Sequence, residues 1–100
     1  MKGLLHSAAD EEFAEAVRYY TEIDPSLGTR FYQEMERLIR DVCIHPELFR
    51  QFDPPARRHF SPEFPYAVIY LKKPDYIWIV AIMHMKQRPG YWHERLDSER

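Results

Sequence analysis

The sequence predicts an α+β fold in which a helical hairpin packs on one face of a small antiparallel sheet. Three observations carry that expectation. Residues 9–20 and 31–42 each place apolar side chains at steps of four, three, one and three, the spacing of a single helix face. Residues 66–71 and 76–83 are β-branched and aromatic runs joined by a turn that contains proline. Helical patterns come first and strand patterns after, the order of an α+β chain and not of alternating βαβ units.

Taken in order, KGLLH (residues 2–6) is short and apolar at its centre, and is expected to form an initial strand. Ser7 then reads as a helix N-cap, with Asp10 three residues on in the place of a capping-box glutamate. Ala9, Phe13, Ala16, Val17 and Tyr20 form the inner face, and Glu11, Glu12, Glu15 and Arg18 are assigned to the opposite one. Asp24-Pro25 closes this helix and opens the next, because Asp caps well and Pro suits a first helical turn. Phe31, Met35, Leu38, Ile39 and Val42 repeat the inner-face spacing until His45, which precedes proline and is pushed out of helical geometry. The result is a helical hairpin.

Residues 47–56 (ELFRQFDPPA) are expected to be an irregular bridge with Leu48, Phe49 and Phe52 tucked beneath it. RRHF (57–60) reads as a short strand and SPEFP (61–65) as a turn. YAVIYL (66–71) and YIWIVAIM (76–83) follow as paired strands, with Pro74 placed for a type I turn between them. The expected layout is β-α-α-β-β-β: an N-terminal strand, the helical hairpin, a three-stranded antiparallel meander and a C-terminal tail. It is read as a single domain over residues 1–100. The run 76–83 is apolar at every position, so both of its faces need cover. Two helices supply one cover. The tail, the bridge or another chain must supply the other.

Composition bounds the function classes. One hundred residues suit one core. The longest apolar run is eight residues, too short to span a bilayer, and MKGLLHSAADEE turns acidic too soon for a secretory signal. The single cysteine, Cys43, cannot form an internal disulfide, which fits a cytoplasmic protein, and it falls on an apolar helix face as a packed thiol. The net charge of −2 hides an asymmetry, with a balance of −5 in residues 1–53 and +3 in residues 54–100. Proteins that live on phosphate contacts usually carry a strong basic excess, so any cationic surface here is local. No Gly-rich phosphate loop is present, and His45, Glu47, His59 and His93 lack metal-ligand spacing. No cofactor and no metal are expected.

The remaining signal is the tail, HMKQRPGYWHER (84–95). With EEFAEAVRYYTEIDPSLGTRFYQEMERLI, HPELF, FPYAVIY, IWIVAIMH and RPGYW in that order over nearly the whole chain, the sequence resembles the RelE/ParE toxin superfamily of type II toxin–antitoxin modules. The closer likeness is to its ParE-like branch, the plasmid-stabilisation proteins. The resemblance implies the β-α-α-β-β-β layout. It also implies a toxin held in a hetero-oligomeric complex by a cognate small antitoxin that wraps around it, with DNA gyrase as target. The alternative from the same superfamily is a RelE-like, ribosome-dependent endoribonuclease that cleaves mRNA without a metal. A second alternative is a relative that binds its antitoxin but has lost toxicity.

Metal-free RNA cleavage needs a base, an acid and cations for the phosphorane. By position in the superfamily, Arg57, Arg58, Arg88 and Tyr91 are candidates for those catalytic roles, and His84 is the candidate base or acid because imidazole titrates near neutrality. Two features weigh against a nuclease: Lys72 and Lys73 fall in a turn, not on a strand, and the charge balance is unsuited to ribosomal phosphates. If the tail instead grips a protein target, Lys86, Arg88, Tyr91 and Trp92 are the target-binding candidates, because aromatics and Arg dominate such contacts. The plain alternatives are that His84 bonds backbone at a strand end, and that Tyr91 and Trp92 form a lid on the sheet.

Overall fold

A computed structural model describes residues 1–97. Its elements in order are β1 (Gly3–Leu5), α1 (Ser7–Ile23), α2 (Pro25–Ile44), β2 (Gln51–Asp53), β3 (Ala56–Phe60), β4 (Tyr66–Lys72), β5 (Ile77–His84) and a 3-10 turn (His93–Asp97). The five strands form one mixed sheet in the order β1-β5-β4-β3-β2. β1 runs parallel to β5 at one margin, and every other pairing is antiparallel. The α+β class is as expected, but the meander has four strands and not three. The extra strand lies in the expected bridge, where Gln51 pairs with Arg57 and Asp53 with Ala56. Residues 47–56 are therefore not irregular throughout: Pro54-Pro55 sit in the turn and leave Gln51–Asp53 free to pair.

The start of α1 also departs from expectation. His6, not Ser7, is the N-cap: its Nδ1 accepts the N–H of Ala8 at 2.9 Å, and Ser7 is already the first helical residue. An unprotonated imidazole nitrogen here does the work of a capping oxygen. Asp24 caps α2 as read, accepting the N–H of Ser26 at 3.0 Å with Pro25 in the first turn.

The sheet divides two apolar layers. On one face Ala9, Phe13 and Ala16 of α1 and Phe31, Met35, Leu38 and Val42 of α2 pack on Val68, Tyr70, Ile77, Ile79 and Ile82. On the other, Ala56, Ala67, Ile69, Leu71, Trp78, Val80, Ala81 and Met83 are buried together with Trp92 from the tail. The apolar run in β5 therefore finds both its covers within the chain. Its pattern has a bulge: Ile69 pairs with Ala81 and the next residue, Tyr70, with Ile79, so Val80 is the extra residue. Val80 and Ala81 consequently face the same layer, and the residues beyond them change parity.

Candidate functional site

β1 ends at Leu5 and covers β5 only from Ile77 to Ile79. Beyond that point α1 and the tail close over the margin of β5, and they do so with side chains. Glu12 accepts the N–H of Ile82 on Oε1 at 3.0 Å, and Arg95 donates from Nη1 to the carbonyl of Val80 at 2.9 Å. The two side chains also meet each other as a bidentate pair at 2.8 and 2.9 Å, and the Tyr91 hydroxyl donates to Glu12 Oε2 at 2.7 Å. Backbone groups next to the bulge are thus paired by a carboxylate and a guanidinium. Tyr91 is held protonated: burial raises its pKa far above the ordinary value, and the neighbouring Glu12 carboxylate raises it further.

Glu12 is a correction to the sequence reading, which placed it with Glu11 and Glu15 on the solvent face. It lies three residues after Ala9 and four before Ala16, so helical spacing itself sets it on the margin of the inner face. A carboxylate at such a margin is the signal that could have located this cluster.

The same elements border a groove of about 720 Å³ whose lining includes Glu11, Glu15, Tyr19, Tyr66, His84 and Gln87. His84 stands at the end of β5, where its Nδ1 accepts the N–H of Lys86 at 3.0 Å and its ring meets Tyr66 edge-on at 5.0 Å. Burial pushes the Tyr66 phenol up to about 12, so at neutral pH it too is a neutral hydroxyl. Lys86 and Arg88 are exposed on the turn that follows.

The expected catalytic residues do not converge. His84 and Tyr91 share the groove. Arg57 lies on the helix-bearing side of β3, where it donates to the carbonyl of Phe49 at 2.8 Å. Arg58 faces the opposite layer, its guanidinium 4.3 Å from the Phe52 ring centre and 4.8 Å from that of Phe60. Arg57 pairs with Tyr70, and His84 with Tyr66, four residues along the same strand. At about 3.4 Å per residue and about 4.8 Å per strand, their backbones are roughly 14 Å apart along the sheet and about 10 Å across it.

Of the residues expected to bind a target, Trp92 is the one the structure buries. It is 1 % exposed and sits in the second core layer near Phe52, with ring centres 6.0 Å apart. Tyr91 is half-buried and bound to Glu12, which leaves Lys86 and Arg88 as the exposed members of that set.

A second polar cluster escaped the sequence reading. Glu34, 6 % exposed, receives a bidentate pair from Arg37 and the Ser61 hydroxyl at 2.6 Å. Asp41 bridges Arg37 and His59, whose ring stacks on Phe49. Arg37 holds the Glu34 carboxyl below its ordinary pKa against the opposing effect of burial, and Ser61 adds to the lowering. These bonds tie α2 to β3 and to the 61–65 turn. Among the described residues no group of three His, Cys, Asp or Glu side chains could hold a metal ion, and no helix is long and apolar enough to cross a membrane.

No curated protein matches the chain. The family model described as the ParE toxin of the type II toxin–antitoxin system parDE matches residues 4–89, a span from β1 to the turn after β5. With that match over most of its length and the α+β fold behind it, the chain belongs to the ParE toxin family of type II toxin–antitoxin systems.

Proposed function

We propose that the chain acts in the cytoplasm, as a single domain over residues 1–100, by inhibiting DNA gyrase, and that a cognate antitoxin neutralises it in a hetero-oligomeric complex. Target contact is assigned to the exposed cations of the tail, Lys86 and Arg88, with Tyr91 positioning the segment from its bond to Glu12. One observation carries the choice of gyrase inhibition over RNA cleavage. Arg57 and Arg58 are committed on opposite sides of β3, far from His84, so no single phosphate could meet the proposed base and the strand-borne cations together. The ribonuclease reading draws on the shared groove of His84 and Tyr91, but the Tyr91 hydroxyl already serves Glu12.

Brief expression of the chain in bacteria, followed by parallel measurement of gyrase-dependent DNA breakage and transcript decay, separates the readings. DNA breakage with intact transcripts is the expected result. Rapid cleavage of messages within codons, with intact chromosomes, would overturn it in favour of a RelE-like nuclease. Neither effect, in a chain that still binds its antitoxin, would mark a non-toxic relative.

A further inference from the structure

Four arginines among the described residues are partly buried: Arg37, Arg57, Arg58 and Arg95. Three of them are bonded. Arg37 meets Glu34, Arg57 meets the carbonyl of Phe49, and Arg95 meets Glu12. Arg58 differs. Its guanidinium makes no hydrogen bond and no ion pair among the described residues, and lies instead over two rings, 4.3 Å from the centre of Phe52 and 4.8 Å from that of Phe60. Taking a guanidinium partly out of water without an acceptor is unfavourable, so an arriving anion improves the arrangement.

The strands fix this geometry. Arg58 and Phe60 are two residues apart on β3 and share a face, and Phe52 of β2 packs into the same layer. Cation–π attraction to both rings holds the long side chain in place before any partner arrives. Phe60 is 41 % exposed, so this edge of the layer is open, whereas Trp92 closes the layer next to Phe52. A second cation adjoins it. Arg50 is exposed, its carbonyl accepts the N–H of Arg58 at 3.2 Å, and its side chain makes no ion pair among the described residues.

We propose that Arg58 and Arg50 receive a carboxylate from an acidic segment of the protein that the chain inhibits, with Phe52 and Phe60 holding the Arg58 fork in position. The proposal rests on the protein-target reading above and adds a second contact to Lys86 and Arg88. The planar fork of a guanidinium matches a carboxylate through two parallel N–H bonds. A nucleic-acid strand fits less well. Strand binders need a line of cations and free ring faces on which bases stack, and here each ring already has a face taken by the guanidinium. A pair of cations in a chain of net charge −2 suits a carboxylate side chain, not a run of phosphates.

The test has two arms, both on the full chain. In the first, isotope-labelled protein is titrated with a glutamate decapeptide and, separately, with an oligothymidylate of equal charge, while the NMR signals of the Arg58 Nε–H and the Phe60 amide are followed. The peptide is expected to shift both signals, with the shifts fading in high salt. Tighter binding of the oligonucleotide assigns the site to nucleic acid and overturns the choice of occupant. No shift with either probe overturns the proposal and leaves Arg58 as cover for the core. The second arm compares gyrase inhibition by the parent, Arg58→Lys and Arg58→Met. Lys keeps the charge without the fork, and Met keeps the apolar cover without the charge. Both variants should keep a cooperative unfolding transition and inhibit about tenfold less. Inhibition equal to the parent's in either folded variant overturns the proposal. A parent without effect on gyrase overturns the reading on which the proposal rests, and the peptide titration still decides the site.

Discussion

Replacing Trp92 by Ala separates core cover from target contact, because the two roles move different observables. The indole is 1 % exposed, and a side chain of this size buries about 200–250 Å². At about 25 cal/mol per Å² that is roughly 5–6 kcal/mol. The surface that Ala still buries, and the compactness of real unfolded chains, bring the expected loss to about 3–5 kcal/mol. For a domain of this size, whose whole stability is about 5–15 kcal/mol, the variant survives as a weakened fold. Urea unfolding followed by circular dichroism should show the midpoint falling sharply with little change in slope. Thermal melts should drop by about 12 °C or more. Arg88→Ala, on the exposed turn, should leave both midpoints within about 0.5 kcal/mol of the parent and reduce the gyrase inhibition proposed for the chain. If Trp92→Ala kept the parental midpoint and lost only the inhibition, the indole would be a target anchor and the packing argument would fail.

Truncation after Pro89 removes Trp92 and Arg95 together, and the chain should lose its cooperative transition and bind a hydrophobic dye. Glu12→Gln keeps the shape but weakens the bonds to Arg95 and Tyr91, and equilibrium unfolding should show a loss of about 1–3 kcal/mol. His6 titrates below its ordinary value of 6.5, through burial first and the charge of Arg95 second. As pH falls below about 6.5 the unfolded chain gains a proton that the folded one resists, so stability should decline toward the lowered folded pKa. His6→Asn, which preserves the cap, should flatten that decline in stability curves taken at successive pH values. Glu34 acts in a lower window: the stability gap between parent and Glu34→Gln should be full above about 4.5 and shrink as pH falls through its lowered folded value.

Both helices were legible because their inner faces repeat one spacing and their ends carry strong signals at Asp24-Pro25 and His45-Pro46. β4 and β5 were legible from composition alone. What escaped is what depends on partners distant in sequence. β2 has only one apolar residue in three, so its pairing rests on β3 and not on its own pattern. The bulge at Val80 is silent in a run that is apolar everywhere, and strand order has no local signature. Of the candidate site, the sequence placed His84, Lys86 and Arg88 at the end of β5 and after it. It could not show that Arg57 lies two strands and four residues away from His84, or that Arg58 and not Arg57 faces the second layer, because register and phase are set by the sheet. Nor could it choose between Trp92 as lid and Trp92 as hook, since both demand the same residue.

The pairing of Glu12 with Arg95 spans 83 positions of the chain. Synthesis runs from the N-terminus at about 5–20 residues per second, so Glu12 leaves the ribosome's catalytic centre about 4–17 s before Arg95 is added. During that interval α1 can form, but the margin of β5 near the bulge lacks its guanidinium and the second sheet face lacks Trp92. Maturation of the fold is thereby tied to the arrival of residues 92–95, and a product that stops short of them is left without this closure. A partner translated alongside gains that same interval in which to reach the chain first.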